Sequence, residues 1–194
     1  MREPTKRERQ AEERRNQLVD AALRLFAEKG FEKTTIKDLS EAVGVAQGLI
    51  YHYFDSKEEL LFAAVDRHGF LPELRRVLAA SYERPAEEVL PEIAGDFYAL
   101  LEEKRDLVRV FFRESQTNPE VGKRLVDIIR EGVGLLARYL AARIAVGELR
   151  PHDPEVTART LLYTVQMLHI TGRTPADDFV PKMVENLLYG IKAD

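Results

Sequence analysis

The chain has 194 residues, 29 Lys and Arg against 33 Asp and Glu, a net charge of −4, 45% hydrophobic and 32% charged residues. That leaves room for one or two packed domains and excludes a disordered chain. With no Cys, a disulfide framework, a thiolate metal site and a thiol nucleophile are excluded as well.

No run approaches the roughly 18 apolar residues of a membrane span. The charged start, MREPTKRERQAEERRNQ, has no apolar core behind it, so no signal peptide is expected. A reducing cytoplasm fits this composition. Residues 1–60 carry 11 basic and 12 acidic side chains, so overall charge says nothing about nucleic acid and local placement must decide.

Apolar residues recur at spacings of three and four nearly throughout, which predicts an all-α protein. Residues 1–10 read as a basic arm, with Arg2, Lys6, Arg7 and Arg9; interleaved Glu3 and Glu8 read equally as a mixed-charge helix end. The first helix is expected over about Ala11–Lys29, with Leu18, Ala22, Leu25 and Phe26 inward and Gly30 ending it. The second opens at TTIKDLSEAV, where Thr35 can cap and Asp38 completes a capping box, and Gly44 closes it. A short third helix follows over about Gln47–Phe54. Ser56-Lys57-Glu58-Glu59 is a Ser-x-x-Glu start for a fourth, running to about His68. Beyond Gly69, prolines punctuate longer apolar segments, with helices expected over 86–103, 106–116, 119–146, 154–171 and 176–190. Pro91 lies inside one span and predicts a kink or a later start.

Two short helices joined by a Gly-containing turn and backed by a third make a helix-turn-helix unit, whose second short helix enters the major groove. Ile50 and Phe54, four apart, then face the core. Gln47, Gly48, Leu49, Tyr51, His52 and Tyr53 surround the remaining surface. Gln47 offers a paired donor and acceptor for a base edge. Gly48 lets the backbone approach, and Leu49 suits a thymine methyl. Tyr51, Tyr53 and His52 carry groups for phosphates and sugars. Lys57 with the first amides of the fourth helix forms an anion site, and Thr35 and Lys37 hold the other flank.

The stretch TTIKDLSEAVGVAQGLIYHYFDSKEELL, Thr34–Leu61, resembles the signature of the TetR family of bacterial transcriptional regulators, and NQLVDAALRLFAEKGF before it extends the match. Ser40 stands where that family usually has Ala, and Ala46 where Ser is common, so Ala46 is given no phosphate contact. The resemblance implies a helix-turn-helix DNA-binding domain at 1–55. It also implies a larger effector-binding and dimerisation domain at 56–194, entered by a connecting helix at 56–69. It implies a homodimer on a palindromic double-stranded operator and a small-molecule effector that most commonly releases DNA.

For pairing, Val126–Leu149 offers Gly132, Gly134, Ala137, Ala141, Ala142 and Ala145 for close helix approach. The last helix adds Phe179, Met183, Leu187 and Leu188, and the helix at 154–171 joins them; burial within one chain is the competing reading. For an effector, Phe97, Tyr98, Leu101, Phe111, Phe112, Tyr139, Tyr163, Gln166, Met167 and His169 are candidates, with Glu114 beside them. Such a lining suits an apolar or amphipathic compound, an acyl thioester or a drug-like molecule, although aromatics at helical spacing are more often plain core. Gln166 and His169 interrupt an apolar run, and a buried polar group needs a partner.

No cofactor or metal is expected. The four histidines lack metal-binding spacing, and neither a phosphate-cradling Gly loop nor a Gly-x-Ser-x-Gly elbow occurs, so catalysis is not expected. The alternative reading is a helical protein–protein module without DNA.

Overall fold

The computed structural model describes residues 5–172 and 176–190. In chain order the helices are α1 (Lys6–Lys29), α2 (Ile36–Val43), α3 (Gln47–Tyr53), α4 (Lys57–His68), α5 (Phe70–Ala80), α6 (Ala86–Glu103), α7 (Arg105–Ser115), α8 (Pro119–Ala145), α9 (Pro154–Thr171) and α10 (Ala176–Tyr189). Among the described residues there is no strand. The chain packs as two compact units, one of residues 1–68 and 105–125, the other of 69–104 and 126–194.

In the first unit α1 lies against α2, α4 and α7. It begins at Lys6, five residues before the expected start. The Thr5 side chain accepts from the Glu8 amide while the Glu8 carboxylate accepts from the Thr5 amide. This capping box satisfies amides that a helix start otherwise leaves unpaired, so Lys6–Gln10 are helix and not an arm. Met1–Pro4 fall outside the described residues. Leu18, Ala22, Leu25 and Phe26 are buried as their spacing predicts. Gly30 takes φ 87°, a region that favours glycine, and the chain then turns so that Phe31 meets Phe26 edge-on at 4.9 Å. The buried Thr34 hydroxyl donates to the Gly30 carbonyl at 2.8 Å and ties the turn. At the α7–α8 turn, a Cβ on Gly122 would stand 2.9 Å from the Ser115 carbonyl oxygen, closer than real contacts allow.

By packing, α4 belongs to this unit, because Leu60, Leu61 and Ala64 are buried and the helix lies on α1. The domain boundary expected between residues 55 and 56 thus differs from the packing division, which falls after His68 and returns Arg105–Leu125 to the first unit.

In the second unit α6 packs on α5, α9 and α10. Leu74, Val89, Leu90, Ile93, Leu136, Leu140, Leu161, Val165 and Val184 make its core. The sequence reading missed α5. Pro72 falls in its first turn, where a proline displaces no intrahelical bond. α6 runs through Pro91 without a break, and the missing amide falls in the N-terminal third of the helix. A Cβ on Gly132 would meet Leu71 at 3.4 Å and Leu74 and Leu162 at 3.9 Å, so this glycine serves close packing within its own unit. Gly132, Val133 and Leu136 are buried likewise, and this face of α8 is core and not a pairing surface.

Candidate nucleic-acid interface

The candidate reading head is built from below. α2 opens on a full capping box: the Thr35 hydroxyl accepts from the Asp38 amide at 3.1 Å, and the Thr35 amide donates to Asp38 Oδ2 at 2.8 Å. Lys29 Nζ, 2.7 Å from Asp38 Oδ1, and Thr35 together hold the Asp38 carboxyl well below the usual carboxylate range. α2 ends at Gly44, left-handed at φ 70° and ψ 39°, and three residues later α3 begins. Ala46 precedes it without a side-chain cap, as the absent hydroxyl predicts.

Within α3 the faces divide as expected. Ile50 is fully buried and Phe54 nearly so, with the Arg15 guanidinium 5.0 Å from the Phe54 ring centroid. Gln47, Gly48, Tyr51 and His52 are exposed, while Leu49 and Tyr53 are half-buried. His52 meets Tyr53 edge-on at 5.2 Å, which steadies two neighbouring rings on one turn. Lys37 is exposed and only loosely paired, 3.8 Å from Glu41.

Both flanking residues are engaged within the protein. The Thr35 hydroxyl also donates to Asp38 Oδ2 at 2.6 Å, so the expected capping box occupies both its donors. The Lys57 ammonium donates to the carbonyls of Phe31 and Glu32 at 3.0 and 3.3 Å and lies 4.8 Å from the Phe31 ring centroid. It fastens the turn after α1, where the sequence predicts an anion site shared with the first amides of the fourth helix. The start of α4 also differs in detail. Ser56 accepts from the Glu59 amide, but the Glu59 carboxylate reaches one residue further back, to the Asp55 amide.

The effector candidates fall in both units. Phe111, Phe112 and Glu114 lie on α7 in the first unit, where Phe112 is exposed and the buried Glu114 pairs with Arg113 at 2.9 Å. In the second unit Tyr139 is a core strut, its hydroxyl donating to the Arg84 carbonyl at 2.8 Å; burial pushes that hydroxyl up to about 12. Leu101 is core. Tyr163 and Met167 are exposed on α9, the Tyr163 hydroxyl accepting from Arg159 at 2.7 Å. His169 has a protein partner already, Glu102 Oε1 at 2.7 Å. Phe97 is half-buried, stacked on Phe70 at 4.2 Å, and Tyr98 and Gln166 are half-buried too.

The helix expected over 154–171 among the pairing elements exposes a stripe of large apolar side chains, Val156, Tyr163, Met167 and Ile170. Their spacing of seven, four and three was the available signal. Phe179 on α10 is exposed, and Met183, Leu187 and Leu188 are half-buried.

Residues 18–64 match the N-terminal domain described as "Bacterial regulatory proteins, tetR family". Residues 88–173 match the "AefR-like transcriptional repressor, C-terminal domain". The HTH-type transcriptional repressor Rv1474c of Mycobacterium tuberculosis is 31% identical over 170 residues, covering 76% of this chain and 89% of that protein. The chain belongs to the TetR family of bacterial transcriptional regulators. The repressor KstR2 of Rhodococcus jostii is 32% identical over 102 residues, which span 50% of this TetR-family chain and 48% of that protein. Among solved structures, the regulator FadR of Bacillus subtilis, in complex with stearoyl-CoA, aligns with a TM-score of 0.74 at 25% identity, covering 91% of this chain and 98% of that one. TetR-family proteins are transcriptional regulators and not enzymes. Among the described residues no helix is long and apolar enough to cross a membrane.

Proposed function

We propose that this TetR-family chain is a cytoplasmic repressor that binds a palindromic operator as a homodimer and is released by an amphipathic effector. One observation carries the reading: α3 buries Ile50 and Phe54 and thereby turns Gln47, Gly48, Tyr51 and His52 outward together. Gln47 then reads a base edge, Gly48 and Leu49 approach the groove floor, and Tyr51, His52, Tyr53 and Lys37 position the head on sugars and phosphates. In role, residues 1–55 are the reading head and 56–194 carry sensing and pairing.

The bare apolar stripe of α9, with Phe179 of α10, supports pairing with a second copy, because a lone chain gains nothing by exposing it. Two heads then meet two half-sites. Effector contacts are proposed for Phe97, Tyr98, Gln166 and His169 of the second unit. A long-chain acyl-CoA is the proposed class, since FadR of Bacillus subtilis was solved with stearoyl-CoA. An effector that favours one arrangement of the dimer shifts operator affinity by their coupling, typically about 1–3 kcal/mol.

The test is a mobility-shift assay of the purified chain on genomic fragments across a salt series. A few fragments should shift specifically, with affinity falling steeply as salt rises. Uniform weak retention of every fragment would leave the protein–protein module as the better reading. Stearoyl-CoA added to a shifted fragment should release it.

A further inference from the structure

Around the start of α6, the α8–α9 connection and the end of α10, the second unit folds a cleft of about 670 Å³. That is the size of sites that hold small organic molecules. Its apolar wall is leucine: Leu149, Leu187 and Leu188 keep exposed surface, with Leu90 and Leu140 buried behind them. None of the ten positions expected to touch an effector lines it.

Two of its polar groups are not used by the fold. His152 Nδ1 lies 2.8 Å from the Arg150 carbonyl, and because a carbonyl only accepts, Nδ1 is the donor. Nε2 of the same ring is shut away from solvent without a hydrogen-bond partner among the described residues. Such an atom loses its hydration and gains nothing in return. The Arg150 side chain makes no hydrogen bond or ion pair to another described residue. Its Nη2 stands 3.3 Å from where a Cβ on Gly190 would be, against the end of α10.

The acidic groups of the cleft are engaged. Glu148 accepts from the Ala86 amide and pairs with Arg143, and Glu87 Oε2 lies 3.5 Å from the Tyr189 hydroxyl. One uncommitted guanidinium, one imidazole nitrogen and a leucine wall match a single negative charge on a hydrocarbon body. A phosphate dianion would face both glutamates with only one cation to meet it.

We infer that this cleft binds a small amphipathic carboxylate, its head on Arg150 and His152 and its hydrocarbon over the leucines. The guanidinium fork meets the two carboxylate oxygens side by side. With Nδ1 donating to the Arg150 carbonyl, His152 meets a carboxylate oxygen only as the imidazolium, its Nε2–H donating once the ring turns out of cover. The site is additional to the proposed effector contacts and does not depend on them.

The test is a titration of the full ¹⁵N-labelled chain with sodium octanoate, followed by amide shifts. Saturable shifts are expected at residues 149, 150, 152 and 187–190. Arg150→Gln should weaken octanoate roughly ten-fold or more, whereas Arg130→Gln, an exposed arginine outside the cleft, should not change it. Arg150 is exposed and holds nothing in place, so this variant keeps the parent's melting temperature; His152→Leu gives a second, smaller loss. Shifts confined to other amides, no saturable shift at all, or unaltered affinity in Arg150→Gln each overturn the inference.

Discussion

α3 and α9 both leave side chains bare, and they differ in what they leave. α3 shows an amide, a glycine, a phenol and an imidazole within two turns. α9 shows Val156, Tyr163, Met167 and Ile170 along one stripe, mostly hydrocarbon. A face dense in donors and acceptors loses little by meeting a hydrated, charged groove, because each group can exchange water for a base edge or phosphate. A hydrocarbon stripe has nothing to exchange and gains only by excluding water against another such surface. Exposure alone therefore does not identify a partner; the chemistry of what is exposed does.

The contrast can be broken or sharpened by substitution. Phe54→Ala removes the ring beneath the α3 face and should destabilise the chain by about 3–5 kcal/mol, seen as a large fall in melting temperature and loss of operator binding. Met167→Lys places a charge on the α9 stripe and should yield monomers in sedimentation while the helical signal survives. Operator affinity should then fall by about 100-fold or more as the two heads lose their linkage. A dimer that persists would move the pairing surface elsewhere.

Smaller effects separate the α3 residues. Gln47→Ala should relax preference at one base position by about 1–3 kcal/mol without unfolding, and Tyr51→Ala should weaken all operators alike. Lys57→Ala should cost about 1–2 kcal/mol of stability through its two carbonyl bonds and leave the salt slope of DNA binding unchanged; a flattened slope would restore its phosphate role.

The smallest is a titration. Tyr139 is raised to about 12 in the folded chain, above the value of about 10 of an unfolded phenol. Its contribution to stability is complete below pH 10 and is lost as pH rises through 12. Tyrosinate absorbance should therefore show one late phenol, absent in Tyr139→Phe.

The head was legible because local rules govern it: a capping box at Thr35, a left-handed Gly44, and Ile50 and Phe54 four apart. What the sequence could not show was competition for donors. Lys57 has the right chemistry for a phosphate, but the carbonyls of Phe31 and Glu32 hold its ammonium. The second unit was less legible because aromatics at helical spacing look alike whether they fill a core, line a cavity or face outward. Tyr139 holds a carbonyl, Tyr163 lies bare, and only three-dimensional packing separates them. α5 was hidden by Pro72, which reads as a breaker unless its place in a first turn is known.

The Lys57 clasp joins the first residue of α4 to the bend between α1 and α2. Amides at residues 31–34 and 57–61 should accordingly lose protection from deuterium exchange as one cooperative block. Loosening either end then exposes both, and the hairpin cannot fray while α4 stays seated.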